Sequence, residues 1–122
     1  MSKQFKSFTF LARSGPYGNN RSNLLLDIAL ASSVFDQKSN YIFMDDGIYQ
    51  LLKGQNADHI HTKTFGKSIE ALSLYGIDDI YVLEKSLKER CVSEKDLMLD
   101  PVIVNQEKLK LLIKNSHNLV SL

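Results

Sequence analysis

Short apolar runs alternate with segments of helical periodicity along this chain, and that alternation leaves few folds open to it. Residues Phe5–Leu11, Asn40–Met44 and Asp79–Leu83 read as strands, and His117–Leu122 as a short last one. A further strand falls between Leu97 and Val104, where Leu97-Met98-Leu99 and Val102-Ile103-Val104 both qualify and Pro101 divides them. Arg21–Phe35 reads as a buried helix, with Leu24, Ile28 and Ala31 as its inward stripe, Leu26 and Leu30 widening it, and Asn20 or Ser22 as its cap. Lys67–Tyr75 reads as a helix with Ile69, Leu72 and Tyr75 inward and Gly76 after its end. Ser86-Leu87-Lys88-Glu89 has capping-box spacing ahead of a helix Leu87–Cys91. Asn105 caps a last helix with Leu109, Leu112 and Ile113 inward and Lys108, Lys110 and Lys114 outward. Strands between helices predict an α/β fold, a three-layer α/β/α sandwich on a mostly parallel sheet of about five strands. With no repeat, linker or low-complexity tract, residues 1–122 read as a single domain.

The most specific stretch is Asp45-Asp46-Gly47-Ile48-Tyr49-Gln50-Leu51-Leu52-Lys53-Gly54-Gln55. It follows the apolar run Tyr41-Ile42-Phe43-Met44, so two acids stand at the end of a buried strand. Gly47 is expected to turn the chain there, and Ile48, Leu51 and Leu52 to lay a short helix back on the sheet. Gly54 reads as the stop of that helix.

Composition excludes several function classes. The chain has 122 residues, enough for one core, and a net charge of +1 from 15 basic and 14 acidic side chains. A near-neutral surface does not by itself attract nucleic acid or membrane. Lys85, Lys88 and Arg90 lie close together and read as a solvated helix face. The lone Cys91 can form no internal disulfide, and a zinc site needs several more ligands. His59 and His61 are too isolated in sequence to define a metal site. The N-terminal residues lack the long apolar core of a secretion signal, and the expected location is cytoplasmic.

Catalytic motifs are sparse. The loop Ala12–Asn20 is dense in turn formers but carries neither common phosphate-binding glycine pattern, so it reads as a strand-to-helix connection. Asp45 and Asp46 sit where ligands gather in such folds. A magnesium-dependent phospho-receiver site would need acids after the first strand, where Ala12, Arg13 and Ser14 stand. Cys91 is the one soft nucleophile; the helix-end dipole opposes a thiolate there, and Lys88 and Arg90 favour one. No catalytic residues, cofactor or metal are assigned from these features.

The residues do resemble a known family. Asp46-Gly47-Ile48-Tyr49-Gln50-Leu51-Leu52-Lys53-Gly54-Gln55 resembles the D-G-[apolar]-[aromatic]-Q-L-L-x-G-Q segment of the TusC/DsrF family, within the DsrE/DsrF/DsrH-like proteins. Pro16-Tyr17-Gly18, Leu74-Tyr75-Gly76-Ile77 and Ser86-Leu87-Lys88-Glu89-Arg90 resemble its P-[HY]-G, L-Y-x-I and S-L-x-E-R segments. The likeness is closest to TusC and runs over nearly the whole chain. Two stretches depart from it: the segment after Arg21 lacks the acidic and glycine residues common in relatives, and the last strand is less apolar.

The resemblance implies a non-catalytic subunit of a sulfur-relay complex, a dimer of heterotrimers with TusB-like and TusD-like sisters. Such a complex passes persulfide sulfur from a TusA-like donor to a TusE-like acceptor, toward 2-thiolation of the wobble uridine of tRNAs. The reactive cysteine then belongs to the TusD-like sister. Cys91 stands where relatives commonly have glycine, so no family role transfers to it. Asp46, Gly47, Tyr49, Gln50, Gly54 and Gln55 are the expected partner-binding residues, and direct tRNA binding is not expected. The alternatives are a sulfurtransferase subunit carrying persulfide on Cys91 and a DsrEFH-like subunit of dissimilatory sulfur metabolism.

Overall fold

The computed structural model describes residues 7–17, 20–33, 38–53 and 65–122. The strands are β1 (Ser7–Ala12), β2 (Lys38–Phe43), β3 (Asp79–Leu83), β4 (Val102–Val104) and β5 (Asn118–Ser121). The helices are α1 (Arg21–Ser32), α2 (Phe65–Leu74), α3 (Glu84–Glu89) and α4 (Gln106–Lys114), with a 3₁₀ helix over Asp45–Leu51 and a 3₁₀ turn over Glu94–Asp96. All strand pairs are parallel, in the order β4-β3-β2-β1-β5. Phe10 stands beside Tyr41 on one side and Val120 on the other, which fixes the register at the centre.

The two-residue period of the strands sorts the core into two layers. Phe10, Ala12, Tyr41, Phe43, Ile80 and Val82 face one way, against Leu25, Leu26 and Ala29 of α1 and Ile69 and Leu72 of α2. Leu11, Ile42 and Leu83 face the other way, against Leu109 of α4. The rings of Phe8, Phe10, Tyr41 and Phe43 form a continuous row, with successive centroids 6.1, 5.9 and 5.0 Å apart. Parallel crossovers are right-handed, so connections on one layer carry the chain stepwise from β1 to β4. The connection through α4, on the opposite layer, reverses that direction and sets β5 beside β1.

Several expectations hold, and others are corrected. The fourth strand is Val102–Val104, and Leu97 instead makes an antiparallel bridge with Leu52. Asn105 caps α4, its side chain accepting from the Lys108 N–H at 2.8 Å. Leu109 is buried, Leu112 and Ile113 half-buried, and the three lysines exposed.

The inward stripe of α1 is Ser22, Leu25, Leu26 and Ala29, whereas Leu24 is 50% exposed and Ala31 lies outward. Between Leu24 and Ala31 only Asp27 is polar, so two neighbouring stripes are equally apolar and periodicity does not choose between them.

Tyr75 is not inward: α2 ends at Leu74 and Tyr75 is 56% exposed. Gly76, at φ +82, is the left-handed residue of a Schellman motif closed by Gly76 N–H to Ser73 O and Ile77 N–H to Leu72 O. Ile77 supplies the buried contact that Tyr75 was expected to make.

Ser86 is not a cap. α3 begins two residues earlier, directly on the end of β3, so Ser86 lies within it. Gly54, with its expected helix stop, and His59 and His61 lie outside the described residues.

Candidate functional site

The carboxyl ends of β1, β2 and β3 are tied together by the segment that starts at Asp45. Asp45 has φ 51, a left-handed conformation that Asp tolerates better than most side chains. The turn out of β2 therefore falls on Asp45, and Gly47 sits inside the 3₁₀ helix rather than before it. Gly47 serves closeness instead: a Cβ there would lie 1.8 Å from the Ala12 carbonyl oxygen. The Met44 N–H donates to that same oxygen at 3.0 Å.

Side chains complete the junction. The Ser86 hydroxyl accepts from the Asp45 N–H at 2.8 Å, joining α3 to the end of β2. Gln50, fully buried, donates through Nε2 to Ser14 O at 2.7 Å and so holds the segment after β1. The two acids diverge: Asp45 pairs with Arg13 and Asp46 with Arg90, each at 3.1 Å. Asp46 and Asp45 are substantially exposed, so each pair contributes at most about 1 kcal/mol. These carboxylates are separate partners of two arginines rather than an acid–base dyad. Ile48 and Leu51 anchor the segment in the core, as their spacing predicts, while Leu52 leaves the helix and is half-buried.

The expected partner-binding residues thus divide. Gly47 and Gln50 are buried and work within the domain, Asp46 is exposed and Tyr49 half-buried. Gly54 and Gln55 lie outside the described residues. Lys85 and Lys88 are exposed, whereas Arg90 packs toward Asp46.

Cys91 is exposed, just beyond the end of α3. Its φ is 53, and the Cys91 N–H to Lys88 O and Val92 N–H to Leu87 O bonds make a second Schellman motif. Position 91 therefore has the backbone geometry that favours glycine. Among the described residues, no three His, Cys, Asp or Glu side chains converge as a metal site.

A cavity of about 480 Å³ opens at the same edge of the sheet. It is lined by Arg13 and Ser14 after β1, Arg21 at the start of α1, Asp45 after β2, and Ser121 and Leu122 at the end of β5. Sequence reasoning missed it as a site. Arg13 was visible at the end of the first strand, but Ser121 joins it only through the placement of β5 beside β1.

Fold and site define a class. The chain belongs to the DsrE/DsrF-like family, whose model matches residues 6–122. Within that family it is similar to a TusC homolog of Pseudomonas aeruginosa, 32% identical over 117 residues that cover 96% of this chain and 98% of that protein. It is also similar to the intracellular sulfur oxidation protein DsrF of Allochromatium vinosum, 37% identical over 98 residues covering 80% of this chain and 72% of that protein. The fold matches the crystal structure of the ychN protein from E. coli with a TM-score of 0.84 over 97% of this chain and 100% of that one, at 16% identity.

Proposed function

We propose that this chain is a non-catalytic subunit of a TusBCD-like sulfur-relay complex. The complex passes persulfide sulfur toward 2-thiolation of the wobble uridine of tRNAs, in the cytoplasm. The observation that carries this reading is the end-to-end similarity to TusC proteins, which leaves almost no part of either chain unmatched. The position of the only thiol supports the non-catalytic part: Cys91 occupies a left-handed helix-terminal residue, a geometric post for which a thiol is not needed. Leu24 of α1, half exposed beside the polar Asn23 and Asp27, supports assembly with sister subunits of TusB-like and TusD-like character.

The test is replacement of Cys91 by Ser in cells that depend on this chain for thiolation, with thiolated tRNA read on mercury-containing gels. Unchanged thiolation is the expected result. Its loss, together with a persulfide trapped on Cys91 by mass spectrometry, would turn the chain into a sulfur carrier. Co-purification with the sister subunits tests the assembly, and a stable lone monomer in cells would count against it.

The DsrF match favours a second reading, a subunit of a DsrEFH-like complex in dissimilatory sulfur metabolism. Deletion of the gene separates the two: loss of tRNA thiolation supports the first, and loss of sulfur oxidation with intact thiolation supports the second.

A further inference from the structure

We propose that the turn after α2 is a docking knob for a protein partner that presents an apolar pocket edged by lysine or arginine. Leu74 and Tyr75, consecutive in the chain, are 86% and 56% exposed. Single apolar side chains scattered over a surface are ordinary, whereas two large ones side by side on a fixed turn form a patch of the kind that partners cover. The turn is fixed from within. The Tyr75 N–H donates to Ala71 O at 3.0 Å, and the Schellman bonds from Gly76 and Ile77 close the helix at 3.1 and 2.9 Å. Leu72 before the pair and Ile77 after it are buried, and Ser73 Oγ donates to Asp78 Oδ1 at 3.4 Å. Side chains presented from such a turn need little further ordering on binding, and tyrosine is among the residues that most often supply binding energy.

The charge around the knob selects the partner. Glu70, one helical turn before Leu74, and Asp78 and Asp79, just after the turn, are all exposed acids. From Glu70 to Leu83 the chain carries no lysine, arginine or histidine. Among the described residues none of these three acids is in an ion pair, and Lys38, on the neighbouring β2, forms none with them. A second copy of this chain docking by the same surface would set acid against acid, which disfavours a symmetric pair. The occupant is therefore another protein with a basic surface: Leu74 and Tyr75 enter its apolar pocket, and the acids meet the rim. The inference goes beyond the sulfur-relay reading and does not rest on it, since it concerns a different surface from Cys91 and from Leu24 of α1.

The test is photo-crosslinking in cells that make the full chain, with p-benzoylphenylalanine in place of Tyr75 and the adduct mapped by mass spectrometry. One discrete adduct to another protein is expected, attached at an apolar segment flanked by lysine or arginine. Combining Glu70→Gln, Asp78→Asn and Asp79→Asn should cut its yield about tenfold or more, because charges at the rim govern the encounter. Leu74→Ser should remove the adduct while the melting temperature of the purified protein stays within about 2 °C of the parent, as befits a side chain outside the core. A larger fall in that melting temperature would place Leu74 in the fold and overturn the inference. An adduct only to other copies of this chain, an adduct whose yield ignores the combined charge variant, or no adduct at all would each overturn it too.

Discussion

Gly47 and Ala12 meet so closely that the Cβ missing from Gly47 would stand 1.8 Å from the Ala12 carbonyl oxygen. That oxygen belongs to the last residue of β1 and already accepts the Met44 N–H, so it cannot swing aside without breaking the join between β1 and the end of β2. The glycine of the Asp-Asp-Gly segment is therefore fixed by contact distance, and the unusual backbone angle next to it is carried by Asp45.

Gly47→Ala is expected to destabilise the domain by about 3 kcal/mol or more, because the obstacle is backbone and not a movable side chain. Urea unfolding followed by circular dichroism measures it. An alanine variant whose midpoint equals that of the parent would show that the 3₁₀ helix does not lie against Ala12.

The hydroxyl of Tyr41 is buried and has no hydrogen-bond partner among the described residues. Tyr41→Phe removes that unsatisfied group and leaves the ring between Phe10 and Phe43. It should be neutral or stabilising by up to about 1 kcal/mol near pH 7.

Burial also pushes the Tyr41 pKa well above the ordinary tyrosine value. The folded state thus favours the neutral phenol. The stability it provides is whole below the unfolded-state value of about 10 and is lost as pH rises beyond it. Tyr81 is pushed the same way, by desolvation first and the Asp79 charge second, but it is only half-buried. Parent protein should lose stability steeply above about pH 10, and Tyr41→Phe should flatten that loss. Thermal melts across pH 8–11 read both slopes.

Cys91 and Gly76 occupy the same position in equivalent helix endings, each with positive φ. Cys91→Gly should therefore stabilise the domain by about 1 kcal/mol, and Gly76→Ala should destabilise it by a similar amount. The pair gives opposite shifts in melting temperature from the same physical cause. A destabilising Cys91→Gly would mean that the thiol makes contacts of its own.

The facing of α1 is tested by adjacent residues. Leu25 is fully buried and Leu24 is 50% exposed. Leu25→Ala should cost about 2–5 kcal/mol, whereas Leu24→Ala should change the stability of the isolated chain by no more than about 0.5 kcal/mol. If Leu24 is covered by a sister subunit, the same Leu24→Ala should weaken co-purification while the melt stays unchanged.

The layered α/β fold was legible because the central strands end in apolar runs short enough to exclude a helix, and because α4 keeps its lysines on the side away from Leu109. The facing of α1 was not legible, since a helix apolar on most sides carries no directional signal. Ser86 was misread because the spacing Ser-x-x-Glu also occurs inside a helix that starts early on the end of β3. What matters at 86 is the hydroxyl offered to the Asp45 N–H, a contact between residues 41 positions apart. At the site, the importance of the Asp45–Leu51 segment could be read from its residues, but its partners could not. Arg13, Ser14 and Ser86 reach it from other elements, and Ser121 comes near only after the chain has crossed the sheet. Local pattern reports what a segment prefers, and the cavity is made of residues that no local pattern relates.

The outermost strands, β4 and β5, are also the shortest, three and four residues long, and Pro101 stands at the entrance to β4. A rim so brief offers an incoming strand few amides to grip. Neighbouring molecules are thus steered away from zipping their own backbones onto this one. Lasting association is then left to side chains, which can be chosen residue by residue.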